Sequence, residues 1–222
     1  MRALNAAHND AARHMDGIYK HQRYIYDATR KYFLLGRDRL IADLKPAPGA
    51  RVLEIGCGTG RNLILAARRY PEARFYGFDI SSVMLETART SVAKAGLSDR
   101  ISLALGDATD FSVSTMFGEP HVDVAFCSYT LSMVPPWRHA LPQAIACLGP
   151  GGRFHVVDFG QQSGWPRAFK SVLFSWLAKF DVAPRADLED ALAEVANADG
   201  AALLFETLYR DYARYGVITR RS

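Results

Sequence analysis

Two carboxylates and three glycines define the chemistry open to this chain. Glu54 precedes Gly56, Gly58 and Gly60 in the run Val52-Leu-Glu-Ile-Gly-Cys57-Gly-Thr-Gly60, and Asp79 lies further on. Alternating glycines permit a tight turn and a ligand approach that any Cβ would block. The spacing is not the G-x-G-x-x-G of a dinucleotide site, because Arg61 stands where the third glycine belongs. Glu54 places an anion where a pyrophosphate would be repelled, which favours a ligand with positive charge and no phosphate. Asp79 falls about 20 residues past the glycine loop, where its two oxygens could each accept a proton from one of two ribose hydroxyls.

The elements that must position these groups are legible around them. Residues 51–55 form a β-prone run and 61–69 a helix, so the glycines occupy a strand-to-helix turn. Residues 74–78 read as the second strand, ending on Asp79, with Ile80 and Met84 behind it apolar enough to sandwich an adenine. Residues 101–105, 122–126 and 153–157 read as further strands; their tips are Gly106-Asp107-Ala108, Cys127-Ser128-Tyr129-Thr130 and Asp158-Phe159. Asp123 is expected to order the entrance of the fourth strand, and 149–152 to be a turn before the fifth. Helices are expected over 138–147 and 186–196, and two closely spaced strands over 202–209 and 212–219. Strands alternating with helices imply an α/β fold with a doubly wound parallel sheet.

A length of 222 residues, near half of them apolar, suits one globular domain with a small extension. Lys plus Arg number 27 against 23 acids, with a pI near 9.0, a balance suited to anionic surfaces or ligands. Cys57, Cys127 and Cys147 lack C-x-x-C spacing and read as reduced thiols of a cytosolic protein. The histidines show no metal-ligand spacing, and no run approaches the roughly 20 apolar residues of a bilayer span. In residues 165–180, Trp165, Phe169, Val172, Leu173, Trp176, Leu177 and Phe180 fall on one helical stripe. A basic, aromatic amphipathic helix of this kind can lie in a membrane interface, or it can bury its stripe on the sheet or a partner.

The nonapeptide Val52 to Gly60 resembles motif I of the class I S-adenosylmethionine (SAM)-dependent methyltransferases at every position. That resemblance implies a Rossmann-like, seven-stranded, mostly parallel sheet whose last strand is antiparallel. It implies SAM as cofactor and S-adenosylhomocysteine as product, held by Glu54, Gly56, Cys57, Gly58, Gly60, Asp79, Ile80 and Met84. Asp107 would accept the adenine amine and the Ala108 amide would meet a ring nitrogen, while Ser128 and Tyr129 would face the methionine end. Tyr19 and Tyr26-Asp27 match the Y-x6-YD pattern found ahead of motif I in small-molecule and lipid methyltransferases, where an N-terminal helix covers SAM. Residues 1–45 would then be a helical lid carrying the catalytic tyrosines, and 46–222 the SAM-binding domain with 165–180 as an insert.

The stretch Asp16 to Arg37 and the continuation Val156-Val-Asp158-Phe-Gly-Gln-Gln162 are similar to the bacterial diacylglyceryl-homoserine N-methyltransferases of betaine-lipid synthesis. Related enzymes methylate phosphatidylethanolamine. The similarity implies successive methyl transfers to a lipid amine, by a cytoplasmic protein peripheral on the anionic inner face of the membrane, with a lipid substrate and no nucleic-acid partner. A quinone, sterol or other small amine as acceptor, and a SAM-binding regulator that turns nothing over, are the rival expectations. Oligomeric state is open.

Overall fold

The computed structural model describes residues 34–222. Its strands are β1 (Arg51–Ile55), β2 (Arg74–Asp79), β3 (Ile101–Leu105), β4 (Val122–Ser128), β5 (Leu148–Phe159), β6 (Ala202–Leu208) and β7 (Ala213–Thr219). They form one sheet in the order β3-β2-β1-β4-β5-β7-β6. The first five are parallel to one another, and β7 runs antiparallel between β5 and β6. Chain order reverses between β1 and β4, and in open sheets a ligand crevice lies at that switch point, beyond the strands' carboxyl ends.

Side chains alternate along each strand, so two apolar layers form. Val52, Phe75, Val124, Phe126 and Val157 point to one face, and Leu53, Phe78, Ala125, Phe154 and Val156 to the other. The first layer is covered by α1 (Arg37–Asp43), α2 (Arg61–Arg69), α3 (Ser82–Lys94) and α6 (Arg167–Ala178), through Leu40, Leu63, Leu85 and Leu173. The second is covered by α4 (Val113–Phe117), α5 (Trp137–Ala146) and α7 (Leu188–Asp199), through Val113, Leu141 and Leu192. Helices on both faces are the doubly wound arrangement the sequence predicts. Helix α1 shares the main core, since Leu40 and Leu44 are wholly buried and Arg153 donates to the Leu44 carbonyl at 2.6 Å.

Three local expectations change. Residues 149–152 are not a free turn: the Gly151 amide donates to the Arg221 carbonyl and Arg220 to Gly152, so β5 begins at Leu148 with an irregular register against β4. The last helix starts at Leu188 and runs to Asp199, two acids in its first turn suiting the positive end of its dipole. The stripe of 165–180 divides. Leu173 and Leu177 are buried, and Phe174, Trp176 and Phe180 pack partly on the core, while Phe169 and Val172 stay exposed. Asp123 accepts from the Arg51 amide at 2.7 Å and from its guanidinium at 3.1 Å. Burial acts to raise that carboxyl's pKa, but the Arg51 bonds outweigh it and hold it below the usual range. Among the described residues no helix is long and apolar enough to cross a membrane.

Candidate active site

The turn from β1 to α2 is built so that three of its backbone amides are already used. The Cys57 amide donates to the Phe78 carbonyl at 2.9 Å and Gly60 to Cys57 at 3.0 Å. The Gly58 amide donates to Asp79 Oδ2 at 2.8 Å, and the Ser81 amide to Asp79 Oδ1 at 2.9 Å. A pyrophosphate cradle needs such amides pointing at the ligand. Here three of them point into the protein, and the charge lining the turn is carboxylate. Glu54 is 1 % exposed, and Asn62 donates to its Oε1 at 2.8 Å. Asn62, eight residues on and in the first turn of α2, thus fixes the anion that the sequence singled out.

Gly56 is required by close approach as well as by backbone conformation. Its φ is +70°, and a Cβ there would lie 2.4 Å from Thr130 Cγ2. Thr130 is held by its own hydroxyl, which donates to the Ile55 carbonyl at 3.2 Å. Loop and strand tip therefore meet with no room for another atom.

The remaining expected residues divide into those at the crevice and those beneath it. Asp79, Ile80 and Asp107 are half-buried at the tips of β2 and β3, with Ala108 buried beside them. Asp107 Oδ1 accepts from the Thr109 amide and hydroxyl, both at 2.7 Å. The cap of α3 is Ser81, whose hydroxyl accepts from the Met84 amide at 3.3 Å, so Asp79 is not used as a helix cap. Ser128 sits at the tip of β4 with its hydroxyl buried and unpartnered among the described residues. Cys57 is buried, and burial pushes its thiol well above the usual range, with Asp79 and Glu54 adding to the shift.

Two expectations need correction. Tyr129 does not face the crevice: it is 2 % exposed, stacks edge-on with Phe159 at 4.5 Å, and donates its hydroxyl to the Leu35 carbonyl. Its φ of +58° turns the chain so that the ring goes down into the core. Met84 offers little open face for an adenine, because it is 2 % exposed and packed under Met133 and Phe180. Tyr19 and Tyr26 lie outside the described residues.

Sequence reading missed a buried support under the β4–α5 connection. Asp158, wholly buried at the tip of β5, accepts from the Ser132 amide at 3.0 Å and from its neighbour Phe159 at 2.7 Å. Burial raises its pKa, opposed by those hydrogen bonds and by the Arg185 charge. Arg185 donates to the carbonyls of Leu131 at 3.0 Å and Val134 at 2.8 Å, and Ala183 donates to Ser132 at 2.8 Å. The short 3-10 turn Leu131–Met133 is thus clamped from β5 and from the segment after α6. No periodicity or motif marks Arg185 in the sequence.

Comparison with known proteins agrees with this geometry. Residues 52–152 match a family model described as a methyltransferase domain, a span that holds the glycine turn, both strand-tip acids and Ser128. Over that span, just under half of its length, the chain is similar to a SAM-dependent methyltransferase domain. It is 33 % identical over 139 residues to a demethylmenaquinone methyltransferase of Symbiobacterium thermophilum, covering 60 % of this chain and 54 % of that one. It is 33 % identical over 113 residues to a tRNA1(Val) (adenine(37)-N6)-methyltransferase of Porphyromonas gingivalis, covering 48 % and 44 %. Among solved structures, an O-methyltransferase family protein from Burkholderia thailandensis superposes with a TM-score of 0.70 at 18 % identity, over 92 % of this chain and 62 % of that one. The chain spans about half the length of the curated relatives it matches.

The cofactor of this class is SAM, and the residues present fit it. The methyltransferase site offers acceptors to a molecule whose recognisable groups are hydroxyls, an amine and a cation. Glu54, Asp79 and Asp107 supply carboxylates, Ser128 a buried hydroxyl, and the Gly56 turn leaves no side chain in the way. Among the described residues no group of His, Cys, Asp or Glu is arranged to hold a metal ion.

Proposed function

We propose that the protein transfers methyl groups from SAM to the amine of a membrane-lipid head group, diacylglyceryl-homoserine being the best-supported acceptor. The observation that carries methyl transfer is the turn at Gly56 to Gly60: the amides of Cys57, Gly58 and Gly60 are satisfied internally and the surroundings are anionic, which suits SAM and opposes a phosphate. When bound, SAM supplies an electrophilic methyl on a sulfonium, and such an in-line displacement is accelerated mainly by positioning. Glu54, Asp79 and Asp107 would hold the cofactor. The clamped 131–134 segment would form the acceptor-side wall, and Met133 and Phe180 would exclude water over Met84.

The acceptor class is supported by the similarity of residues 16–37 and 156–162 to the betaine-lipid N-methyltransferases. The second stretch is the frame joining β5 to α6. Gln162, 1 % exposed, donates its side-chain amide to the Tyr212 carbonyl at 3.1 Å. Tyr19 and Tyr26, seven residues apart, would stand about two turns apart on one helix face and hold the amine in line. A trimethylated product would be a quaternary cation, which each aromatic face stabilises by about 0.5–2 kcal/mol.

The test offers methyl-labelled SAM with diacylglyceryl-homoserine, phosphatidylethanolamine and a demethylmenaquinone, and identifies the labelled product by mass spectrometry. Label in the homoserine lipid is expected. Label in the quinone alone would replace the lipid reading, and SAM binding with no labelled acceptor would leave a non-catalytic SAM-binding protein.

A further inference from the structure

The first turns of α6 expose apolar side chains, and a second element extends them. Trp165 and Phe169 stack with centroids 4.7 Å apart, and Val172, one turn on, is 72 % exposed. Beside them stands the β6–β7 turn, where Tyr209 is 49 % exposed and Arg210 lies 5.2 Å over the Trp165 ring. Three consecutive residues of that turn, Tyr209, Arg210 and Asp211, have φ of +53°, +59° and +64°. Such backbone is costly for side-chain-bearing residues and persists only where surroundings enforce it. Here the enforcement is visible. The Trp165 indole donates to the Tyr209 carbonyl at 3.1 Å, the Gly164 amide to Arg210 at 3.2 Å and the Gln162 amide to Asp211 at 2.9 Å. A Cβ on Gly160 would lie 2.2 Å from the Asp211 carbonyl oxygen, and one on Gly164 would lie 2.8 Å from Arg210 Cβ. Turn and helix entrance are therefore one rigid block presenting Trp165, Phe169, Val172 and Tyr209 together.

We propose that this block docks on an anionic phospholipid bilayer. The cations around it, Arg210, Arg167 at the start of α6 and Lys179 at its end, are all exposed. Asp211 in the turn is buried against Arg214 at 2.9 Å, and Asp181 lies beyond the helix. An apolar centre with a basic rim is the pattern that inserts into the head-group region of an anionic membrane. Two other occupants fit worse. A second copy joined by a twofold axis would bring the same patch, and hence the same cations, face to face. Residues 16–33 carry Lys20, Arg23, Arg30 and Lys31 against Asp16 and Asp27, so they too would bring positive charge to a basic rim. The far end of α6 reaches the catalytic side: Phe180 packs on Met84 beside Met133. A bilayer held at one end of this helix would place lipid head groups at the level of the strand tips. This role deepens the lipid reading above, although the surface stands on its own geometry.

The experiment is co-sedimentation of the full chain with phosphatidylcholine vesicles and with vesicles that also contain phosphatidylglycerol, at low and high salt. Wild type is expected to pellet with the anionic vesicles and to be released by salt. Val172→Glu should lower partitioning by at least about tenfold, since it puts a charge at the centre of the apolar face. Arg210→Glu should lower it by at least about fivefold. Circular dichroism confirms that both variants are folded, and Lys179→Glu is the spare should either fail. Equal or negligible pelleting with both vesicle types would overturn the proposal, as would wild-type partitioning of all folded variants. A wild-type dimer in analytical ultracentrifugation that Val172→Glu breaks would also overturn it, in favour of self-association. Methylation of detergent-dispersed lipid separates this surface from the activity. Val172→Glu should retain it in full while losing vesicle binding. Wild-type vesicle binding with no methylated lipid would sink the lipid acceptor and leave the docking face standing.

Discussion

Replacing Gly56 by Ala tests whether the glycine turn and the tip of β4 are the fitted pair that the site requires. The added Cβ would stand 2.4 Å from Thr130 Cγ2 and 2.9 Å from Thr130 Oγ1, whereas ordinary contact begins at 3.4 Å. About an ångström must be recovered, and overpacking of this kind costs about 1–3 kcal/mol. Holding a non-glycine residue at φ +70° adds about 1–2 kcal/mol. If Thr130 rotates away, its hydrogen bond to Ile55 is lost, at about 0.5–1.5 kcal/mol. Gly56→Ala should therefore destabilise the fold by about 2–5 kcal/mol and weaken S-adenosylhomocysteine binding. Thr130→Ala alone should cost about 1 kcal/mol. In the double variant the two shortest contacts are gone and only Thr130 Cβ, at 3.2 Å, stays close, so the two losses should fall short of additivity by about 1–2 kcal/mol. Urea denaturation gives the stabilities and calorimetry the affinities. Additivity within about 0.5 kcal/mol would refute the contact, since uncoupled sites behave that way. Unchanged affinity in a folded Gly56→Ala protein would remove the turn from the cofactor site.

Asp79→Ala should weaken S-adenosylhomocysteine binding at least about tenfold by calorimetry, because hydrogen bonds to a charged acceptor contribute about 1.5–3 kcal/mol each. It should also lower the melting temperature, since the carboxylate holds the Gly58 and Ser81 amides; unchanged affinity would sink the assignment. His155, 2 % exposed and bonded through Nδ1 to the Tyr215 hydroxyl at 2.9 Å, has its pKa lowered to about 3, by burial first and the Arg153 charge second. Below the ordinary histidine value the unfolded chain binds a proton that the native state refuses. Stability should accordingly fall on acidification from pH 6.5 towards 3, by up to about 1.4 kcal/mol per unit. His155→Phe should flatten that slope in urea titrations between pH 7 and 5, and an unchanged slope would assign the acid sensitivity elsewhere.

The fold was legible because its signals are local. Val52 to Ile55 and Val122 to Phe126 are short apolar runs, and a run bounded by Gly56 or Cys127 has few ways to continue. The cofactor half of the site was legible for the same reason: Glu54, the glycines and Asp79 sit at strand tips within one stretch of chain. What was not legible depends on distance along the chain. Thr130 matters because it fills the space over Gly56, 74 residues earlier, and nothing in its own neighbourhood says so. Arg185 matters because three carbonyls between Leu131 and Val134 lie within its reach. Tyr129 misled because the resemblance places it beside Ser128 at the cofactor, whereas a left-handed residue at the strand's end turns its ring inward. The stripe of 165–180 was correctly seen as amphipathic, but periodicity cannot divide a wide stripe between a core and a free surface.

The described part of the site is rigid wherever it would touch the cofactor, and that rigidity limits where acceptor choice can reside. The glycine turn is locked by its own amides, and the 131–134 wall is held by Asp158 below and Arg185 beside it. Phe180 and Met133 close over Met84. None of these residues carries a free charged group that would recognise a lipid amine or a quinone ring. The chain enters this frame at Leu35 and Gly36, above the same strand tips. The Leu35 carbonyl takes the Tyr129 hydroxyl, and Gly36 stands where a Cβ would be 3.1 Å from Val157 and 3.2 Å from Leu208. Leu35 and Gly36 thus fix the start of the described chain beside the ends of β4 and β5. A single rigid frame can serve relatives named for a quinone and for a transfer RNA only if the acceptor is chosen by parts added to it. In this chain the described part that stands beside the frame is the block of α6 with the β6–β7 turn.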